Sequence, residues 1–269
     1  MALINLHTHS TYSDGTLEPA ALARAAARAG VKYFSLTDHD GVGGWGEMEP
    51  ALREAGITYC YGVEISTGLC ENLHILGYGV NPADPALRGR LEEFRGRRVT
   101  RIKKTLELLK GLGIEIAFED LPPPVNRTVG RPQVADVLRA RKIVSNRSQA
   151  FKRYLAPGAP AYVGPNGPTV AEAIKAVKDA GGRAVLAHPA AAGKAMDLPA
   201  WRDLGLDGIE AFYPSHTGAA TREFISLAGR YGLFVTAGTD FHGPGTERGD
   251  MGGFEYQEEY FSEIKKLFI

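Results

Sequence analysis

Seven histidines run through the chain, and six of them stand at the end of a short apolar run or just beyond one: His7, His9, His39, His188, His216 and His242. His74 lies inside such a run. His7 and His9 are two residues apart, a spacing that sends both rings to one face of an extended chain. Asp240 and His242 repeat that spacing at the last run; Asp14 follows the first pair, Asp38-His39-Asp40 closes the second run, and Glu64 stands near the end of the third. Imidazoles and carboxylates gathered at one edge are ligands for divalent ions of the Zn, Mn or Fe type. A lone histidine at a strand end, such as His74 or His188 by itself, is more often a satisfied structural side chain. The set as a whole predicts a shared metal centre: two H-x-H or D-x-H pairs with three more ligand-type residues at the same edge.

These residues need strands to carry them. Leu3–Leu6, Tyr33–Thr37, Tyr59–Ile65, Leu73–Tyr78, Ala184–Ala187, Gly208–Phe212 and Phe234–Ala237 are apolar and rich in β-branched or aromatic residues, and read as strands. Helical patterns lie between them. Leu17–Ala29 ends at Gly30, Thr169–Ala180 follows Pro168 and stops at Gly181-Gly182, and Ala219–Tyr231 stops at Gly232. Alternation of this kind predicts an α/β fold with a mostly parallel sheet or barrel, whose C-terminal strand ends converge on one mouth. The link from Ile65 to Leu73 is too short for a helical crossover, so that pair is expected to form an antiparallel hairpin.

Residues 82–165 read differently, as a helical insert in a body made of residues 1–81 and 166–269. Asn81-Pro-Ala-Asp-Pro punctuates the boundary, Ala86–Leu112 is one long helical pattern, Pro122-Pro-Pro breaks the chain, and Pro132–Arg141 and Ser148–Leu155 follow as shorter helices. The chain has 31 Lys+Arg and 31 Asp+Glu, so no global charge drives it to nucleic acid or a membrane. Between Asn81 and Pro165, however, 17 basic residues face 8 acidic ones, a surplus of +9 that the rest of the chain cancels. A basic insert beside an acidic body points to an anionic substrate held between them; a solvated helical surface would have the same composition.

Several classes drop out. With 269 residues, 44% hydrophobic and 23% charged, the composition is globular, and no apolar run approaches the roughly 18 residues of a membrane span. The N-terminus is too short and uncharged for a secretory signal, and Cys60 and Cys70 read as reduced thiols, so a cytoplasmic protein is expected. Gly41-Val-Gly-Gly-Trp-Gly46 fits a dinucleotide fingerprint, but Asp38 and Asp40 would face the pyrophosphate and Glu47 and Glu49 occupy the following helix N-terminus. The glycines are better read as a flexible loop beside the metals.

The stretches Leu6-His-Thr-His-Ser-Thr-Tyr-Ser-Asp-Gly15, Leu36-Thr-Asp-His-Asp40, Gly62-Val-Glu-Ile-Ser66, Leu73-His-Ile-Leu-Gly-Tyr78, Ala187-His-Pro189 and Gly238-Thr-Asp-Phe-His-Gly243 resemble the PHP (polymerase and histidinol phosphatase) superfamily of metal-dependent phosphoesterases. They run in order over nearly the whole chain. Gly130-Arg-Pro132, Ala150–Leu155, Ala161-Tyr-Val163 and Gly208–Thr217 look like the subgroup with a helical insert, which includes 3′,5′-nucleoside bisphosphate phosphatases and a 5′-to-3′ exoribonuclease. Three positions depart from that subgroup: Gly41 stands for its usual Thr, Pro165 lies near its usual basic residue, and Gln133 stands for an aromatic or histidine.

The resemblance implies a distorted (β/α)7 barrel with two or three divalent ions (Mn, Zn or Fe) at its mouth. The first ion would take His7, His9, Glu64 and Asp240; the second would share Glu64 and add His74 and His188; the third would take Asp14, His39 and His242. Glu210, Asp38 and Asp40 would stand behind the ligands and orient ring nitrogens. Asp14, Arg131 and His216 are the candidates to act in the reaction, with Arg131, Arg153, Lys152 and His216 contacting the substrate. For His216 the alternative is a plain helix N-terminal residue. The expected reaction is in-line attack of a metal-bridged hydroxide on a phosphate monoester of a small nucleotide, such as the 3′-phosphate of 3′-phosphoadenosine 5′-phosphate. Short RNA is the alternative substrate, and a non-catalytic metal-binding module the alternative class.

Overall fold

The structure, a computed structural model, describes residues 2–121 and 128–269. Met1, the Pro122–Pro124 break and Arg127 of the basic count lie outside the described residues. The N-terminal half runs β1 (Leu3–Asn5), α1 (Pro19–Arg28), β2 (Val31–Phe34), α2 (Trp45–Glu54), β3 (Thr58–Tyr59), β4 (Gly62–Ser66) and β5 (His74–Tyr78). The long α3 (Pro85–Gly111), α4 (Arg131–Ala140) and α5 (Arg147–Ala150) follow, α5 running into a π-helical turn at Phe151–Leu155. The chain then returns through α6 (Val170–Asp179), β6 (Arg183–Leu186), α7 (Leu198–Asp203), β7 (Leu206–Phe212), α8 (Gly218–Tyr231), β8 (Phe234–Ala237), β9 (Phe254–Glu255) and α9 (Glu258–Lys265).

Several helices begin where a side chain satisfies a free backbone amide. Asp84 accepts from the Ala86 amide before α3, Thr169 and Glu172 form a reciprocal cap on α6, and Thr217 caps α8, which ends on Gly232 at φ 63°. Sequence periodicity missed α7, α9 and β9. It also took Gly41–Gly46 for a flexible loop, whereas Val42 and Trp45 are buried there and α2 starts at Trp45. A Cβ on Gly44 would lie 2.9 Å from Asp38 Oδ2, so Gly44 serves close packing.

The fold is α/β, as expected; the distorted (β/α)7 barrel stays what the resemblance implies, and the regular ladders lie in two sheets. One has the order β3-β2-β1-β9 and the other β4-β5-β6-β7-β8. β4 and β5 make the expected antiparallel hairpin, with Ser66 opposite His74. Regular ladders stop at Asn5 and Phe34, and beyond them the sheets are joined by isolated bridges, Thr8 to Phe241 and His39 to Glu64, and by backbone bonds such as Leu6 N to the Ala237 carbonyl and Glu64 N to the Asp38 carbonyl. Non-glycine residues with positive φ stand at this junction: Asp40 (48°), His188 (25°) and Asp240 (54°). The chain bends there out of extended geometry and turns the strand ends inward.

Two apolar clusters hold the molecule. The larger fills the space between sheets and helices and includes Leu87, Leu91 and Phe94 from the first half of α3. The smaller joins Ile102, Leu106 and Leu109 of α3 to Val134 and Leu138 of α4 and to Leu155 and Ala161. One 27-residue helix thus shares its buried stripe between both. Arg97 to Glu172 and Arg90 to Asp179 tie α3 to α6. The Thr128 amide donates to the Tyr12 carbonyl and Gln133 Nε2 to the Ser13 carbonyl, fixing the insert to the loop after β1. Among the described residues no helix is long and apolar enough to cross a membrane.

Candidate metal centre

All nine ligand-type residues singled out in the sequence meet where the two sheets touch. Glu64, on β4, is fully buried. Its Oε2 lies 3.3 Å from His7 Nε2, 3.2 Å from His9 Nε2 and 3.1 Å from His39 Nδ1. Its Oε1 lies 2.7 Å from His74 Nδ1 and 3.3 Å from His188 Nε2. Asp240 Oδ1 completes the first group at 3.4 Å from His7 Nε2 and 3.1 Å from His9 Nε2. Asp14 lies on the other side of His9, with Oδ1 3.2 Å from His242 Nε2 and Oδ2 3.8 Å from His39 Nε2.

Three groups have ligand atoms close enough to share an ion: His7, His9, Glu64 and Asp240; His9, Asp14, His39 and His242; and His39, Glu64 and His74. The first matches the expected set. The second adds His9, and in the third His39 stands where His188 was expected, His188 remaining beside the same carboxylate oxygen. His9 and His39 each present two ring nitrogens, one toward each neighbouring group.

The residues fit divalent ions on a structural test. His7 Nε2, His9 Nε2, Asp14 Oδ1, Glu64 Oε2 and Asp240 Oδ1 are buried and have no hydrogen-bond partner. An orphaned buried polar atom costs about 1–3 kcal/mol, and five aimed at one centre are the signature of a ligand set. Burial pushes the Glu64 carboxyl up, but His39, His7 and His74 outweigh it and hold it well below the usual carboxylate range. Burial likewise opposes the charge on Asp240, and Arg248, His7 and His242 keep it low. His9, despite burial, is pushed up to about 9 by Asp240 and Glu64. Facing carboxylates and imidazoles thus share protons that a cation would replace.

The orienting groups are only partly those expected. Glu210, buried on β7, places Oε1 3.0 Å from His7 Nδ1 and accepts the His188 amide at 2.8 Å. Asp38 and Asp40 do not hold ring nitrogens. Asp38 accepts from the Ser10 amide and the Ser10 and Ser13 hydroxyls, pinning the loop that carries Asp14, because a short loop side chain reaches it first. Asp40 accepts from the Ser66 amide and from Arg98. Ser66 Oγ in turn lies 3.2 Å from His39 Nδ1. Tyr213 and Arg248, which sequence reasoning passed over, hold Asp240 Oδ2 at 2.9 and 2.6 Å and leave Oδ1 facing the histidines.

The centre opens into a cavity of about 950 Å³ that residues of α3, α4 and α5 also line. Asp14, His39, His74 and His242 line one side, and Arg98, Arg101, Arg131, Arg139 and Arg147 line the insert side. Arg131 opens α4 and points inward, lying over the rings of Phe151 and Tyr162. Arg98 and Arg101 went unsingled in the sequence. Their three-residue spacing on α3, which puts both on one helix face, was the available signal.

Three expected contacts fall outside the cavity lining. Arg153 and Lys152 are exposed on the π-helical turn, and the Arg153 guanidinium donates to the Ile143 carbonyl and the Tyr154 hydroxyl. His216 donates from Nδ1 to the Ala211 carbonyl at 3.0 Å and packs between Tyr213 and Phe224, just before α8. Gln133 is occupied by Gly130 and Ser13 and is not part of the lining.

Two sheets meeting at an imidazole–carboxylate cluster, with a cationic cavity above it, define a metal-dependent phosphoesterase. The comparisons agree. Residues 5–116 match the model described as PHP domain. A 3′,5′-nucleoside bisphosphate phosphatase from Chromobacterium violaceum is 35% identical over 95% of this chain and 92% of its own length. A 5′-3′ exoribonuclease from Haemophilus influenzae is 34% identical over 89% of this chain and 90% of its own. A solved structure from Bifidobacterium adolescentis, assigned to the metal-dependent phosphoesterases, superposes with a TM-score of 0.87 at 28% identity, covering 98% of this chain and 95% of the other. The chain belongs to the PHP family and is a hydrolase of phosphate esters.

Proposed function

We propose that this enzyme is a phosphatase for small nucleotides carrying two separate phosphates, removing the 3′-phosphate of 3′,5′-nucleoside bisphosphates. The observation that carries this reading is the pairing, within one cavity, of the ligand cluster and an arginine wall from the insert. A simple monoester needs only the first; a second anionic group gives the wall its purpose. Similarity to the bisphosphate phosphatase over nearly the full length supports it.

His7, His9, Glu64 and Asp240 would hold one ion, Glu64, His74 and His188 a second, and Asp14, His39 and His242 a third. Bound divalent ions supply charge that polarises a phosphoryl oxygen and lowers the pKa of water. The remaining work belongs to side chains. Glu210, Tyr213 and Arg248 keep the ligands in place, Asp14 and His242 face the reacting phosphate at the cavity floor, and Arg131, with Arg98 and Arg101, binds the non-reacting phosphate. Phosphoryl transfer depends mainly on positioning and charge neutralisation, which this division provides.

A second reading, 5′-to-3′ exonuclease action on short RNA, would use the same wall for a 5′-phosphate and is favoured by the further arginines Arg139 and Arg147 along the cavity. The test is a comparison of kcat/KM with Mn²⁺ present for 3′-phosphoadenosine 5′-phosphate, p-nitrophenyl phosphate and a 5′-phosphorylated RNA oligomer. The bisphosphate should be the best of the three. Faster release of mononucleotides from the oligomer would replace the first reading by the second.

A further inference from the structure

The arginine wall is not empty. Glu71, on the turn between β4 and β5, reaches across from the body into it. Its Oε1 pairs with Arg101 Nη2 and accepts the Tyr162 hydroxyl at 2.9 Å, and its Oε2 lies 2.5 Å from Arg131 Nη2. Both arginine side chains are largely buried, 15% and 13% exposed, and both belong to the insert. Each is also anchored to a carbonyl, Arg101 to Val163 and Arg131 to Leu155, so neither needs Glu71 to hold its orientation. The cations are crowded: burial first and then Arg131 pull Arg101 down to about 10.

A carboxylate shared by two guanidiniums and a phenol hydroxyl occupies the donor arrangement that suits a phosphate group. Glu71 lines the same cavity as the ligand cluster, and its turn runs straight into His74. We propose that Glu71 is an internal stand-in for the non-reacting phosphate, and this rests on the bisphosphate reading above. It neutralises the arginines in the free enzyme, gives way when the substrate's second phosphate enters, and re-pairs with them as the product leaves. Burying two arginines without a partner is costly, so the free enzyme needs such a group. The same competition weakens the hold on a nucleoside 5′-monophosphate product, whose only phosphate sits at the wall. Substrates without a second phosphate leave Glu71 in place.

The test uses Mn²⁺-loaded protein with p-nitrophenyl phosphate hydrolysis as reporter and adenosine 5′-monophosphate or adenosine as inhibitor. In Glu71→Gln the inhibition constant for the monophosphate should fall at least about tenfold, which corresponds to about 1.4 kcal/mol. That for adenosine, which lacks the phosphate, should stay within about twofold. Glu71→Asp, a carboxylate too short to reach both arginines, should lie between and serves if the amide variant does not fold. An unchanged or raised constant for the monophosphate overturns the proposal, because Glu71 would then build the wall or contact the nucleotide. Should the wild type hydrolyse no ester, the functional reading fails, and titration calorimetry of the monophosphate on the same two proteins still decides the role of Glu71.

Discussion

Glu64 turns one carboxylate oxygen toward His7, His9 and His39 and the other toward His74 and His188, so a change at this residue reaches two ligand groups together. A neutral amide keeps the shape but loses one oxygen and the charge. Glu64→Gln should therefore remove more than one ion's worth of binding, and elemental analysis should show metal per chain falling accordingly. Hydrolysis should drop by at least about a hundredfold, since even groups behind a ligand are worth 10–100-fold. Full activity and metal content in this variant would remove Glu64 from the bridging position. Glycine matters beside this cluster: a Cβ on Gly238 would lie 2.2 Å from His7 Cβ, so only glycine lets the end of β8 approach the first histidine.

At the scale of elements, the junction between α3 and α6 decides how the insert sits over the body. Glu172 caps the α6 N-terminus with Thr169 and pairs with Arg97 of α3. Arg97, followed by the Thr169 backbone amide, holds its carboxyl down at about 2 from an ordinary 4.5. A carboxyl depressed in the folded state stabilises fully above its unfolded pKa and loses that contribution as pH falls through the folded value. Glu172→Gln keeps an oxygen that can accept the cap bonds, so it should cost no more than about 1 kcal/mol at neutral pH, from the lost charge at the cap and in the solvent-screened pair with Arg97. Urea midpoints of wild type and variant should differ by a constant amount from pH 8 to 5. Below about pH 4.5 the gap should narrow and vanish near pH 2. A gap that does not change with pH would mean that the carboxylate charge plays no part. The elements themselves were largely legible. Thr169, Pro168 and Gly181 mark α6, Asp84 and Pro85 mark the start of α3, and both helices stand where those signals put them. α7, α9 and β9 are short, and their stability comes from packing on β7 and β8 and from pairing with β1, which no local pattern records.

For the whole molecule, the proposed function puts substrate choice in the cavity that the ligand cluster shares with the arginines of α3 and α4. Arg131 opens α4 and pairs with Glu71 of the β4–β5 turn. Losing a charge-assisted phosphate contact costs on the order of 2–5 kcal/mol of transition-state binding. Arg131→Ala should lower kcat/KM for a 3′,5′-bisphosphate at least about tenfold more than for p-nitrophenyl phosphate. Equal slowing of both substrates would assign Arg131 to the fold. No slowing of either would pass the clamp to Arg98 and Arg101, since Arg153 faces away from the cavity.

The sequence by itself marked the nine imidazole and carboxylate residues that come together here, the strand ends that carry them and the basic stretch, because two-residue spacing, strand alternation and charge are local properties that survive without coordinates. It also contained Glu210, though only as a carboxylate on a strand. How the sheets join was decided elsewhere: isolated bridges and backbone bonds beyond the ladder ends link segments far apart in sequence, which types and spacing do not encode. Tertiary structure also sorted the described basic residues of this stretch. Five arginines, Arg98, Arg101, Arg131, Arg139 and Arg147, turn into the cavity, while Arg153 and Lys152, equally basic and a few residues from α5, face water. Direction around a helix axis decides that, and it depends on which stripe of α3 and α4 the apolar clusters bury. The meeting of Glu71 with Arg101 and Arg131, 30 and 60 residues apart in sequence, exists only because the insert folds back over the β4–β5 turn.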